Sequence, residues 1–386
     1  MLRYLFFIYF ATQICLSVEY IIQNEVLNDK ELVLAFTVNR HGERSPDADE
    51  LSLSDVQDKL ANLTYLEGLE GLTLPGKRRA YQLGKFLRDR YGKGPHAILS
   101  KLYLPQEIAI RTTDKDRTKM TAMVAMAAVY PPEPEQQWDG KVGKIWQPVP
   151  YSSLPLSEDY LRYYSNCKAF QTLMAKAKQD ALEKEFKEFL DLIPLIKEKT
   201  GQDFTSNVLL FQTLFDLYKS QTALGLDIPE WAKPLLPRLG EAARRAYRLY
   251  YRTDEMKKIG GGVLLNDFLQ AASDLSCGKT HQKKLYMFSA HDFNLGSLME
   301  VTNVADKSSG IPEYGSLFAL ELYKSKSRGD YSVLPVYLPK AGDSTPEVLR
   351  FTGCSPDGYC DLKTFTQLTK NYVLTHEEYN KICFNK

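Results

Sequence analysis

Apolar positions along this chain recur in two periods, and the way these alternate predicts the fold. The segment ELVLAFTV, apolar from Leu32 to Val38, is continuous and rich in β-branched and aromatic residues, which is the pattern of a buried strand. EIAIR at 107–111 and KKLYMFSA at 283–290 repeat it. LTLPGKRRAYQLGKFLRDRYG reads as a loop followed by a helix, with Ala80, Leu83, Phe86 and Leu87 along one face. A second helix is predicted after EIAIR, opened by a capping box of Thr113 and Asp116 and closed near Val129 by Pro131 and Pro132.

From about Tyr151 to Arg252 the strand period disappears. KAFQTLMAKAKQDALEKEFKEFL and the stretches Asn207 to Lys219 and Pro237 to Tyr251 carry helical spacing only, with Trp231, Tyr247, Tyr250 and Tyr251 read as packing residues. After the triple glycine at 260–262 the sequence VLLNDFLQAASDL predicts another helix. The last strands, near Ser316 to Tyr323 and Tyr331 to Tyr337, alternate more and suit an antiparallel edge. The fold expected is α/β: an open, mostly parallel sheet with flanking helices, formed by residues 18–150 and 253–386, and an α-helical cap inserted at 151–252.

Composition narrows the setting. The 386 residues carry 49 basic and 48 acidic side chains, with no basic block long enough for a nucleic-acid surface. Residues 1–17 read as a signal peptide: Arg3, an apolar run from Leu5, and small residues at Cys15 and Ser17. No other segment approaches eighteen apolar residues, so a secreted protein without a membrane anchor is expected. Asn62-Leu63-Thr64 is a glycosylation sequon in a polar stretch, consistent with that route. Once Cys15 leaves with the signal peptide, five cysteines remain, and an oxidising compartment favours pairing, with the connectivity left open.

The densest chemistry follows the first strand, in RHGERSP at 40–46. Gly42 and Pro46 end the strand sharply, leaving two arginines around one histidine: Arg40, His41 and Arg44. Guanidinium forks match phosphate oxygens, and a neutral imidazole is a nucleophile. The string resembles the signature of the histidine acid phosphatases, a branch of the histidine phosphatase superfamily. That family also has a C-terminal HD pair, matched by His291 and Asp292 in SAHDFN, and an arginine at a strand end between the two motifs, matched by Arg111. All three motifs are predicted at strand ends, where open α/β sheets bind ligands.

The resemblance implies hydrolysis of phosphate monoesters through a phosphohistidine. His41 would be the nucleophile and Asp292 the proton donor, with Arg40, Arg44, Arg111 and His291 holding the phosphate. The arginines should keep His41 neutral even in acid. No cofactor or metal is expected, since His96, His281 and His376 show no ligand spacing. The resemblance also suggests disulfides Cys167–Cys383 and Cys354–Cys360, which leaves Cys277 as a buried free thiol. Homodimers are common in that family, although no exposed stripe in this sequence establishes one. Within the class the alternative is a phytase, since phytase-like relatives often show HDTN and Asn294 is shared. The surroundings match prostatic, lysosomal and insect venom acid phosphatases better. A non-catalytic venom or binding homologue would be expected to have lost part of the motif, and none is lost. Glu43, inside the first motif, has no assigned role, and the physiological substrate is not identified by the sequence.

Overall fold

The computed structural model describes residues 29–279, 283–304 and 310–385. The signal-peptide reading of 1–17 and His281 lie outside them. Among the described residues seven strands form one open sheet: β1 (Lys30–Arg40), β2 (Ile108–Thr112), β3 (Leu285–Ala290), β4 (Leu317–Ser325), β5 (Tyr331–Leu338), β6 (Glu347–Val348) and β7 (Cys360–Asp361). Their order is β2-β3-β1-β4-β5-β6, with β7 also paired to β5. The three strands that precede the motifs run parallel, and β4 to β7 extend the sheet as antiparallel strands.

Register is what assembles the site. Arg40 pairs with Ala290 across β1 and β3, and Thr112 pairs with Ser289 across β2 and β3. The next residue on each strand is therefore His41, His291 or Thr113, and all three emerge side by side at one end of the sheet. The backbone N–H of His41 still donates to the Ala290 carbonyl at 3.2 Å, so the ladder holds to the last residue before the site.

The main helices are α1 (Leu74–Tyr91), α2 (Asp116–Val129), α3 (Lys168–Ala181), α4 (Leu210–Ala223), α5 (Leu236–Arg248), α6 (Asp254–Ser276), α7 (Asp292–Val301) and α8 (His376–Phe384). Helices α1 and α2 cover one face of the sheet, where Leu83, Leu87, Ala122 and Met126 join Leu32, Ala35 and Met287 in one apolar cluster. Elements between 153 and 252 are helical, as expected from the sequence, and lie on the other face. Their Phe170, Phe186, Phe211 and Leu214 belong to the same cluster as Phe36, Val38 and Phe288. A sheet covered on both faces explains why β1 reads as a continuous apolar run. Each fully buried Phe or Leu contributes about 1.5–3 kcal/mol.

Three expectations change. The helix predicted to follow the triple glycine begins before it, at Asp254, and Gly260 to Gly262 sit in its interior. They are there for close packing: a Cβ on Gly261 would stand 2.4 Å from the Ser297 carbonyl oxygen on α7, and one on Gly262 2.4 Å from that of Tyr372. Gly261→Ala is expected to destabilise the fold by about 1–3 kcal/mol through overpacking, read as a lower thermal midpoint. An unchanged midpoint would show that α7 yields freely. The capping box at Thr113 and Asp116 does not form, because α2 starts after Lys115 without a side-chain cap and Thr113 is engaged elsewhere. Cys277 is a free thiol but exposed rather than buried, since it caps α6 where Gly278 (φ 72°) turns the chain outward.

Cys167 is bonded to Cys383 and Cys354 to Cys360. The first joins the start of α3 to α8 across 216 residues of sequence, an interval long enough to contribute about 5 kcal/mol on the chain-entropy view. Asn62 is exposed. Among the described residues no helix is long and apolar enough to cross a membrane.

Candidate active site

Arg40, His41, Arg44, His291 and Asp292 all line one cleft of about 250 Å³ beyond the ends of β1 and β3. The His41 and His291 rings meet edge to face with centroids 5.5 Å apart. His41 Nδ1 lies 2.8 Å from the Gly42 carbonyl oxygen, and the Arg117 Nε–H donates to His41 Nε2 at 3.1 Å. Both contacts select the same tautomer. Nδ1 carries the proton and Nε2 carries the lone pair. Burial, then the Arg117 and Arg40 guanidiniums with Arg44 behind them, hold this imidazole well below its ordinary value near 6.5, against the pull of the Gly42 carbonyl. All of these except the carbonyl favour the neutral imidazole.

His291 is held in the same way. Its Nε2 lies 3.0 Å from the Thr113 hydroxyl, which also contacts the Thr118 hydroxyl. Its backbone N–H donates to Asn294 Oδ1, and the Asn294 amide reaches the Leu161 carbonyl oxygen, tying the HD motif to the helical side. Burial and the cations Arg117 and Arg162 lower this imidazole too. Asp292 opens α7. Its Oδ1 accepts from the Phe293 N–H, and its Oδ2 lies 3.2 Å from the Arg40 guanidinium. Arg40 also donates to the Pro312 carbonyl oxygen and stacks over Tyr314. Arg44 is clamped by Glu50 through two bonds of 2.7 and 2.6 Å, so its fork is fixed before any ligand arrives.

Arg111 is not in this cleft. Strand β2 continues to Thr112, and its pleat turns Arg111 toward the helical side, where it pairs with the fully buried Asp159 at 2.7 Å. Arg117, a residue in the first turn of α2, takes the place beside His41 that the resemblance assigned to Arg111. It pairs with Glu70 at 2.6 Å, while its Nε reaches His41. Burial pushes the Glu70 carboxyl up, but hydrogen bonds from Lys115 and Arg117 outweigh this and bring it to about 2. The available signal was position: Arg117 is the second residue of α2, and helix N-termini face anions. Glu43 turns away from the cleft and accepts from Arg79 at 3.0 Å. Tyr250, expected only to pack, lines the cleft and stacks on Phe293 at 4.1 Å.

Comparison with known proteins adds a lineage to this geometry. A profile described as "Histidine phosphatase superfamily (branch 2)" matches residues 31–337. Prostatic acid phosphatase of Homo sapiens is 31% identical over 346 residues, covering 88% of this chain and 85% of that protein. A venom acid phosphatase of Apis mellifera is 31% identical over 356 residues, covering 90% and 87%. Lysosomal acid phosphatase of Homo sapiens is 29% identical, covering 86% and 76%. Among solved structures, the phytase of Hafnia alvei in complex with tartrate superposes with a TM-score of 0.64 at 17% identity, covering 90% of this chain and 98% of that one. The last likeness is one of fold.

Proposed function

We propose that this chain, which belongs to the histidine phosphatase superfamily (branch 2), is an acid phosphatase that hydrolyses phosphate monoesters to alcohol and phosphate through a phosphohistidine on His41. The observation that carries the mechanism is the pair of contacts on His41, which leave Nε2 deprotonated in a cleft lined by Arg40, Arg44, Arg117 and Arg162. Arg40, Arg44 and Arg117 hold the phosphate oxygens, with His291 beside them. The Nε2 lone pair attacks phosphorus as the bond to the ester oxygen breaks, and positioning and charge neutralisation supply most of the rate. Asp292 gives its proton to the leaving alkoxide. Its carboxylate then takes a proton from the water that attacks the phosphohistidine, which releases inorganic phosphate and restores His41. A bound dianion competes with Asp292 for Arg40. With the phosphate charge met by guanidiniums, the reaction needs no metal.

Hydrolysis of p-nitrophenyl phosphate in mildly acidic buffer with excess chelator tests this reading. Turnover is expected to persist, and acid-labile phosphate should be trapped on the protein in a rapid quench. Loss of activity with chelator, or turnover without a trapped intermediate in a burst experiment, would count against it. Asp292→Asn refines the test. Because p-nitrophenolate leaves without help, kcat/KM for the aryl ester, which reports formation of the phosphohistidine, should fall much less than kcat/KM for an alkyl phosphate, which should drop by about 10²–10⁴-fold. Equal losses for both esters would remove Asp292 as the acid.

The setting proposed is extracellular. The two disulfides suit an oxidising compartment, and Asn62 is exposed for glycan attachment. A phytase activity is the weaker reading, since Asp47, Asp49 and Asp216 line the cleft beyond the phosphate floor and would repel further phosphates.

A further inference from the structure

The helical side of the cleft carries a carboxylate that the mechanism does not use. Asp216 on α4 is only 6% exposed, yet its Oδ1 has no hydrogen-bond partner, and the side chain lines the same cleft as Asp292. Leaving a buried carboxylate unmatched is costly unless a ligand completes it. The neighbouring cations are committed elsewhere. Lys219, three residues on, pairs with Glu313 at 2.9 Å, and Arg40 is held by Asp292 and the Pro312 carbonyl. Asp216 is also fixed relative to the phosphate floor, because the Ser220 hydroxyl on the same helix donates to the Arg44 carbonyl oxygen at 2.7 Å.

What surrounds Asp216 indicates the sign of its ligand. Asp47 and Asp49 line the cleft as well, and among the described residues the one cation lining it beyond the phosphate-binding arginines is Arg162, which donates to the Tyr164 hydroxyl and lies over that ring. Tyr250 and Phe293, stacked together, add aromatic surface of the kind that attracts organic cations. We propose that Asp216, with these aromatic rings, forms a leaving-group subsite for a protonated amine, so that phosphate esters of amino alcohols are preferred substrates of this enzyme. The proposal rests on the phosphatase reading. It assigns to Asp216 a binding role, separate from proton transfer.

The decisive comparison uses two esters of nearly equal shape, O-phosphoethanolamine and n-propyl phosphate, which differ in an ammonium against a methyl group. Asp216→Asn is expected to lower kcat/KM for O-phosphoethanolamine by roughly tenfold, the scale of one charge-assisted contact, while changing that for n-propyl phosphate less than about twofold. In the wild type, 2-aminoethylphosphonate should inhibit more tightly than n-propylphosphonate, a binding measurement that needs no variant and no reaction. Equal inhibition by the two phosphonates, or an equal loss for both esters in Asp216→Asn, would overturn the subsite. Failure of the wild type to hydrolyse either ester would instead overturn the phosphatase reading. A normal rate with n-propyl phosphate and no amine preference would remove only this inference.

Discussion

His41→Ala should abolish turnover of p-nitrophenyl phosphate, with kcat falling by at least about 10⁴-fold, the scale seen when an enzyme loses its nucleophile. The side chain is buried, yet its loss should not unfold the protein. It leaves a small polar gap lined by Arg40, Arg117 and His291, which water can fill. Inorganic phosphate should therefore still bind with an inhibition constant within several-fold of the wild type, because the guanidiniums that hold it remain. This split between binding and chemistry is the diagnostic. A variant that keeps turnover would show that another group attacks phosphorus. A variant that loses both turnover and phosphate binding would place His41 in the binding of the anion and leave the phosphohistidine unsupported.

How much of this site could be read from the chain depended on whether a residue's role was set locally. RHGERSP and SAHDFN were legible because each directly follows a strand whose apolar run is unmistakable, and the β1–β3 register then brings Arg40 and Ala290 level. Between those strands the reading failed by six residues. In EIAIRTTDKDRT, whether Arg111 or Arg117 faces the phosphate depends on where β2 ends and α2 begins, which are the least determined features of any sequence. Thr113, read as a helix cap, instead contacts His291, a partner 178 residues away. Gly260 to Gly262 looked like a break because glycine disfavours helices, whereas the contact with Ser297 that requires it is visible only in three dimensions. Asp216 carried no signal, since one carboxylate in a helical stretch is ordinarily solvated.

The Arg111–Arg117 distinction yields the other large expected effect. Arg117→Ala removes a phosphate ligand and the donor on His41 Nε2, and should lower kcat/KM by about 10³-fold. It should also reshape the pH profile. Arg117 is the largest charge among those holding His41 below its ordinary value, so without it the folded-state pKa of His41 rises toward 6.5. Imidazolium cannot attack, so the acid limb of kcat/KM should move to higher pH, and the residual activity should be lost earlier as acid is added. Arg111→Ala should show neither effect. Its kcat/KM should stay within a few-fold and its pH profile should not shift. Its stability should fall by about 3–5 kcal/mol, because the fully buried Asp159 loses its ion-pair partner. Thermal midpoints and pH–rate profiles measured on the two variants separate the assignments. If Arg111→Ala loses activity at unchanged stability while Arg117→Ala remains active, the guanidinium that touches His41 is not the one that binds phosphate.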